Sequence, residues 1–172
     1  VEIKFVKTHP DAKLPTKAHK EDNCWDLYAV ENTLIPASEV KDNDIDAEQA
    51  LKLLVNDGVQ PDMRILVDIG NAVVPVGLKV GDITPGFGFA IKPRSGLGFK
   101  YGVIPHVGEF DPDYRGECGI KLYNLTSNDY LVKKGDRIAQ FKVEKVWEST
   151  VSFVDAAVET TRGEGGFGSS GK

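Results

Sequence analysis

Hydrophobic and polar residues alternate along most of the chain with the two-residue period of a half-buried strand. Ile3 and Phe5 alternate with Glu2, Lys4 and Lys7 at the start. Runs rich in Val, Ile, Tyr and Phe follow at Asp26–Val30, Ala72–Val80, Phe87–Lys92, Cys118–Asn124 and Arg137–Trp147, and each predicts a strand. The breaks carry turn chemistry: Val80-Gly81-Asp82, Thr84-Pro85-Gly86, Asp111-Pro112-Asp113 and Lys134-Gly135-Asp136. Short strands punctuated in this way predict an all-β sandwich or jelly roll rather than βαβ units.

One segment has a different period. Ala47, Ala50, Leu51, Leu54 and Val55 follow the spacing of an amphipathic helix. Asp46 stands at the N-cap with Gln49 as capping-box partner, and Asn56-Asp57-Gly58 supplies a stop. A helix is therefore expected over about 46–57. The acidic approach Asp42-Asn43-Asp44-Ile45-Asp46 imitates a calcium loop, but its sixth position is Ala47 and its twelfth Leu53, where such a loop needs Gly and Glu.

Composition narrows the class of partner. The 172 residues carry 26 acids against 21 bases, a net charge of −5. That balance argues against a duplex nucleic-acid surface, which needs many phosphate-neutralising bases, but leaves room for a small phosphorylated ligand. Cys24 and Cys118 make no disulfide framework, and His9, His19 and His106 are too scattered to suggest zinc. There is no apolar run of membrane-spanning length and no signal-peptide core at Val1-Glu2-Ile3-Lys4, so a cytoplasmic setting without membrane contact is expected. Asn124-Leu125-Thr126 is a formal glycosylation sequon, read as incidental. Glycine, at 18 residues, is in excess and unevenly placed.

Three clusters carry candidate chemistry. Arg162-Gly-Glu-Gly-Gly-Phe-Gly-Ser-Ser-Gly-Lys172 has little to bury, and alone it would be a floppy tail. Yet glycine-rich backbone can turn successive N–H groups toward an anion, Ser169 and Ser170 add hydroxyl donors, Arg162 adds a phosphate-fitting fork, and Phe167 can stack on a base. Its GxxxxGK match to a P-loop fails on context, since no Ser/Thr and helix follow Lys172 in this sequence. The second cluster, Lys92-Pro93-Arg94-Ser95-Gly96-Leu97-Gly98, reads as a tight turn with phosphate-type ligands, or as an ordinary surface loop. The third, Gly108-Glu-Phe-Asp-Pro-Asp-Tyr-Arg-Gly116, reads as a hairpin whose return strand runs through Ile120 and Leu122. Asp111 there is either a general base acting on water or an Asx-turn acid satisfied by local N–H groups. Tyr114 is either core or a platform for a sugar, and Arg115 is expected to pair with a neighbouring acid.

In order, Trp25-Asp26-Leu27-Tyr28-Ala29, Pro93–Gly98, Phe110–Gly116, Gly135-Asp136-Arg137-Ile138-Ala139-Gln140 and Arg162–Gly171 resemble the five-motif series of the trimeric deoxyuridine triphosphatases (dUTPases). The resemblance implies a β jelly-roll homotrimer with active sites shared between subunits. It implies a single β domain over 1–161, with a helical subelement inserted at about 38–70, and a glycine-rich lid over 162–172. It also implies hydrolysis of dUTP to dUMP and pyrophosphate by in-line attack of water on the α-phosphorus, assisted by Mg²⁺. Asp111 would then orient and deprotonate the water, and Tyr114 would lie under the deoxyribose and exclude a 2′-hydroxyl. Main-chain groups of the hairpin, Gly108 included, would read the uracil edge. Arg94, Ser95, Gly96 and Gln140 would hold the phosphates. Phe167 and Gly168 would cover the uracil, Arg162, Ser169 and Ser170 would grip the distal phosphates, and Asp26 would act on the metal through water.

The connection from Asp26 to Arg94 is longer than usual for this family, and the inserted 38–70 segment is either surface decoration or a site for a protein partner. Ile104-Pro105-His106-Val107-Gly108-Glu109 is atypical too, because Pro105 cannot donate an N–H. Two other readings stand beside this one. A dCTP deaminase of the same fold would need a glutamate where Lys121 stands, and a dUTP-responsive regulatory protein would act through the insert.

Overall fold

The structure is a computed structural model and describes residues 1–40, 67–161 and 163. The expected helix at 46–57 and the tail residues Arg162, Phe167, Gly168, Ser169 and Ser170 lie outside the described residues.

Two four-stranded sheets carry the fold. In the first, β1 (Ile3–Lys7), β6 (Gly70–Ile83), β10 (Glu117–Asn124) and β8 (Val103–Pro105) lie side by side in that order. In the second the order is β2 (Trp25–Tyr28), β12 (Arg137–Lys145), β7 (Phe87–Lys92) and β9 (Glu109–Phe110). Every pairing is antiparallel. Alternation produces the core: along β10, Cys118, Ile120, Leu122 and Asn124 are buried while the residues between them are not. Val74, Val76 and Leu78 from β6 share one hydrophobic cluster with Leu27, Phe89, Ile91, Ile138 and Phe141 from the second sheet. Two smaller pairs, β3 (Thr33–Ile35) with β11 (Tyr130–Val132) and β4 (Glu39–Val40) with β5 (Val67–Asp68), complete the described strands.

Phe87–Lys92 matches the strand expected from sequence, whereas Ala72–Val80 is the middle of a longer strand. One half of β6 pairs with β10 and the other with β1. The last strand ends at Lys145, short of Trp147.

The third cluster differs from its reading as a simple hairpin. β9 pairs with β7, bringing Phe110 opposite Phe89, whereas β10 pairs with β6 and β8. The paired arms are Val103–Pro105 and Leu122–Asn124, and the long tip between them crosses to the other sheet. Phe110 drives this crossing by stacking on Phe89 at 4.7 Å.

The tight turn expected at Pro93–Gly98 is instead the entry to a helix, α1 (Ser95–Tyr101), with Arg94 as N-cap in extended conformation. This is the only helix among the described residues, and it is not the helix expected from sequence. Gly96 and Gly98 disguise it, since each glycine costs a helix roughly 1 kcal/mol relative to alanine. Tertiary contacts offset the deficit: Leu97 is buried, and Gly102 at φ 63° caps the C-terminus by donating its N–H to Gly98 and Leu97 carbonyls. A Cβ on Gly102 would lie 2.6 Å from Thr126 Cγ2, so space and conformation both require glycine there.

Val40 pairs with Val67, and Glu39 with Asp68. The two ends that flank 41–66 are therefore hydrogen-bonded to each other. Buried Asn124 ties that point to β10: its Nδ2 donates to the carbonyls of Ile35, Pro36 and Asn128, and its carbonyl accepts from Ser38 Oγ. The amide of the formal sequon is thus spent inside the protein.

Candidate active site

Two groups of site residues form, at opposite ends of β7. The first centres on Asp26, which faces Gln140 across the β2–β12 pair and is 3% exposed. Its Oδ1 accepts from Arg94 Nε at 2.9 Å and Gln140 Nε2 at 3.1 Å, and its Oδ2 accepts from Arg137 Nη1 at 3.2 Å. Arg94 Nη1 also donates to the Arg137 carbonyl at 3.3 Å. One buried acid is matched by two guanidinium groups, so the cluster keeps a net positive charge. Arg94, Gly96 and Arg137 line a cleft of about 380 Å³ together with Lys100, Asp136 and Tyr130. Burial, reinforced by the Asp136 charge and by Tyr101, raises the Tyr130 phenol above its ordinary value. Ser95 and Gly96, in the first turn of α1, are exposed.

Arg137 is the member of this group that the sequence reading did not single out. In a regular strand Arg137 and Gln140, three residues apart, would face opposite sides. A register irregularity between Arg137 and Ala139 lets both side chains reach Asp26. Only the motif that contains them hinted at this, because bulges have no reliable sequence mark.

The second group is the tip after β9. Asp111 is exposed, and its carboxylate has no hydrogen bond or ion pair among the described residues. The local turn is closed by its main-chain carbonyl, which accepts from Tyr114 N at 3.1 Å, so the Asx-turn reading does not hold. Arg115 pairs with no acid among the described residues; its Nη1 staples the turn by donating to the Pro112 and Tyr114 carbonyls. Tyr114 is not core. It is 45% exposed, with its ring edge-on to Phe110 at 5.7 Å and lying over Gly116. Gly108 accepts from Ile91 N at 2.8 Å, which fixes the tip against β7. Lys121, which stands where the alternative deaminase reading needs a glutamate, lies half-buried on β10.

The structure does not bring the two groups together within one chain. Phe110 is opposite Phe89, near the start of β7, and Asp111 lies beyond it in the direction of Gly88. Arg94 follows the far end of the strand at Lys92. Gly88 to Lys92 alone spans about 14 Å at ~3.4 Å per residue.

The described residues hold no cage for Mg²⁺. Among the described residues no group of three or more His, Cys, Asp or Glu could hold a metal ion. Asp26 Oδ1 is taken by Arg94 and Gln140, while Oδ2 accepts a single hydrogen bond and keeps a lone pair, which fits contact with a metal-bound water.

Comparison with known proteins gives this geometry its context. The family model described as dUTPase matches residues 60–171. The chain belongs to the dUTPase family. A deoxyuridine 5′-triphosphate nucleotidohydrolase from Solibacter usitatus is 35% identical over 176 residues, covering 100% of this chain and 97% of that one. The enzyme of the same name from Paramecium bursaria Chlorella virus 1 is 46% identical over 118 residues, 68% of this chain and 78% of the viral one. Among solved structures, the Staphylococcus bacteriophage 80alpha dUTPase with dUPNHPP shares the fold at a TM-score of 0.73 and 21% identity, covering 99% of both chains. The chain is therefore classed as a hydrolase of nucleotide metabolism. No helix among its described residues is long and apolar enough to cross a membrane.

Proposed function

We propose that this dUTPase hydrolyses dUTP to dUMP and pyrophosphate in active sites assembled between the subunits of a homotrimer. The observation that carries the reading is the free carboxylate of Asp111, held on a stapled tip beside an exposed tyrosine ring in a chain of this family. A carboxylate without internal partners can take a proton from water, and an aromatic face beside it can carry a sugar. In the reaction Asp111 accepts a proton from the water that attacks the α-phosphorus in line, and pyrophosphate leaves. Arg94, Ser95, Gly96 and Gln140 hold the phosphates, and the Gln140 amide also donates to Asp26. Tyr114 lies under the deoxyribose, main-chain groups around Gly108 read the uracil edge, and Arg162, Phe167, Gly168, Ser169 and Ser170 close over the nucleotide as a lid. Mg²⁺, when bound to the triphosphate, would supply charge neutralisation, and Asp26 would hold it through a water. The protein's own share is positioning, electrostatics and one general base.

Two observations support the shared site. Asp111 and Arg94 are too far apart along β7 to act on one triphosphate from the same chain. Beyond Val146, moreover, the chain presents Val151, Phe153, Val154 and Val158 at 76–106% exposure. Apolar side chains that find no cover on their own chain call for cover on another. The domain then comprises 1–161 with the 38–70 insert, and the lid 162–172 reaches a neighbouring copy. A protein partner at the insert is compatible with its position, and removal of the segment tests for one. The deciding experiment is a nucleotide panel of dUTP, dCTP, UTP and dTTP with product identification. Pyrophosphate from dUTP alone is expected, whereas ammonia from dCTP would replace this reading with deamination.

A further inference from the structure

The proposed reaction leaves Arg137 without a task, although it holds one of the two oxygens of the buried acid at the centre of the phosphate cluster. We propose that Arg137 is a positioning residue: by sharing the Asp26 carboxylate through Oδ2 it keeps Arg94 on a single hydrogen bond to Asp26 and so leaves Arg94 Nη2 free for phosphate. The proposal rests on the dUTP reading only in assigning Arg94 to the triphosphate.

A guanidinium and a carboxylate prefer two parallel hydrogen bonds. Arg94 makes one of them, from Nε to Oδ1 at 2.9 Å. The second, from Arg94 Nη2 to Oδ2, is not made, and that oxygen accepts from Arg137 Nη1 at 3.2 Å instead. Arg94 Nη1 goes instead to the Arg137 carbonyl, and Nη2 has no partner among the described residues. Both arginines line the same cleft, where the Arg94 side chain is 23% exposed and that of Arg137 46%.

Removing the Arg137 side chain would leave Oδ2 bare in a residue that water scarcely reaches, and a buried acceptor without a donor is costly. The adjacent unspent donor is Arg94 Nη2. Arg94 would then complete its side-on fork on Asp26, and Nη2 would be lost to phosphate. The cluster would also fall from a net single positive charge to neutrality. Both consequences pass through Asp26, so removing the Asp26 charge in the same molecule should undo them.

The test uses the full chain and two probes that divide the substrate: tripolyphosphate, which lacks a nucleoside, and deoxyuridine, which lacks phosphate. Binding is measured by calorimetry for wild type, Arg137→Met and the double variant Asp26→Asn/Arg137→Met. Arg137→Met is expected to weaken tripolyphosphate about tenfold or more, leaving deoxyuridine affinity and the dichroism spectrum unchanged. The double variant should regain most of the tripolyphosphate affinity. If the Asp26→Asn change prevents folding, Asp26→Ser/Arg137→Met removes the same charge with a smaller side chain. Undiminished tripolyphosphate binding in Arg137→Met would overturn the proposal, as would equal loss of both probes, which marks a merely structural residue. So would a loss that persists in the folded double variant, which marks Arg137 as a direct phosphate ligand. If wild type turns over dUTP and any of these results appears, only this inference falls. A wild type that binds neither tripolyphosphate nor dUTP would sink the functional reading and this inference with it.

Discussion

Gly116→Ala probes the sugar platform without touching any group that performs chemistry. Gly116 does not use the left-handed backbone region, so alanine meets no conformational penalty there. The obstacle is space: a Cβ at this position would lie 2.1 Å from Tyr114 Oη, 2.3 Å from Cζ and 2.8 Å from Cε2. Because Tyr114 is 45% exposed, the ring can swing outward instead of straining the backbone. Doing so forfeits its edge-on contact with Phe110, about 0.5–1.5 kcal/mol, and a long 3.4 Å hydrogen bond to the Glu117 carbonyl. The alanine returns about 0.4–1 kcal/mol by restricting the unfolded chain. The net cost is therefore about 1 kcal/mol or less, a melting shift of roughly 2–4 °C for a domain of this size. The effect on specificity is larger, because rejection of one added hydroxyl by a pocket wall is worth roughly 10²-fold. The assay is kcat/KM for dUTP and for UTP in parallel. The dUTP/UTP ratio should fall by about tenfold or more. A folded variant with an unchanged ratio would refute both the displacement of Tyr114 and its role under the sugar.

Asp111→Asn should fold and bind dUTP but lose about 10²–10⁴ of its pyrophosphate release, the usual share of a general base; near-normal turnover would remove Asp111 from that role. Replacing 41–66 by an Asn-Gly turn should join Val40 to Val67 as a closed hairpin, since the two are already paired. Shortening the loop recovers ~2 kcal/mol of closure entropy, so neither the urea midpoint nor turnover should drop; a lost activity would make the segment part of the site. Burial first, then the charge of Glu117, pushes the Cys118 thiol up to about 11. The folded state favours the neutral thiol, so its contribution is complete below the unfolded value near 9 and is lost as pH rises from there through 11. Iodoacetamide at a pH of about 8.5 should therefore modify partly exposed Cys24 in the native protein and reach Cys118 only on unfolding, as mass spectrometry can read.

The sheets were legible because period-two alternation and burial are the same fact seen twice, as Cys118, Ile120 and Leu122 show. Three kinds of feature were not. Short strands such as Thr33–Ile35 and Tyr130–Val132 have too few residues to display a period. Helix α1 was hidden because its own residues disfavour a helix, and the contacts that stabilise it, Leu97 in the core and Gly102 against Thr126, are distant in sequence. The crossing of the 108–116 tip to the second sheet depends on Phe110 finding Phe89, a pairing that no local pattern announces. Among the site residues, Asp26, Arg94 and Gln140 do meet, and Asp111 stands free. The gap was Arg137, whose approach to Asp26 depends on an irregular strand register.

The separation of the two half-sites along β7 has a consequence for mixtures of chains. A subunit lacking Asp111 still carries an intact arginine cluster, and one lacking Arg94 still carries an intact tip. In the proposed homotrimer each should be inactive as a pure population. When the two are unfolded together and reassembled, some interfaces should pair the good half of one chain with the good half of the other, and activity should return. Two defective alleles of this dUTPase expressed in one cell should therefore complement each other. A site contained within a single chain could never do so.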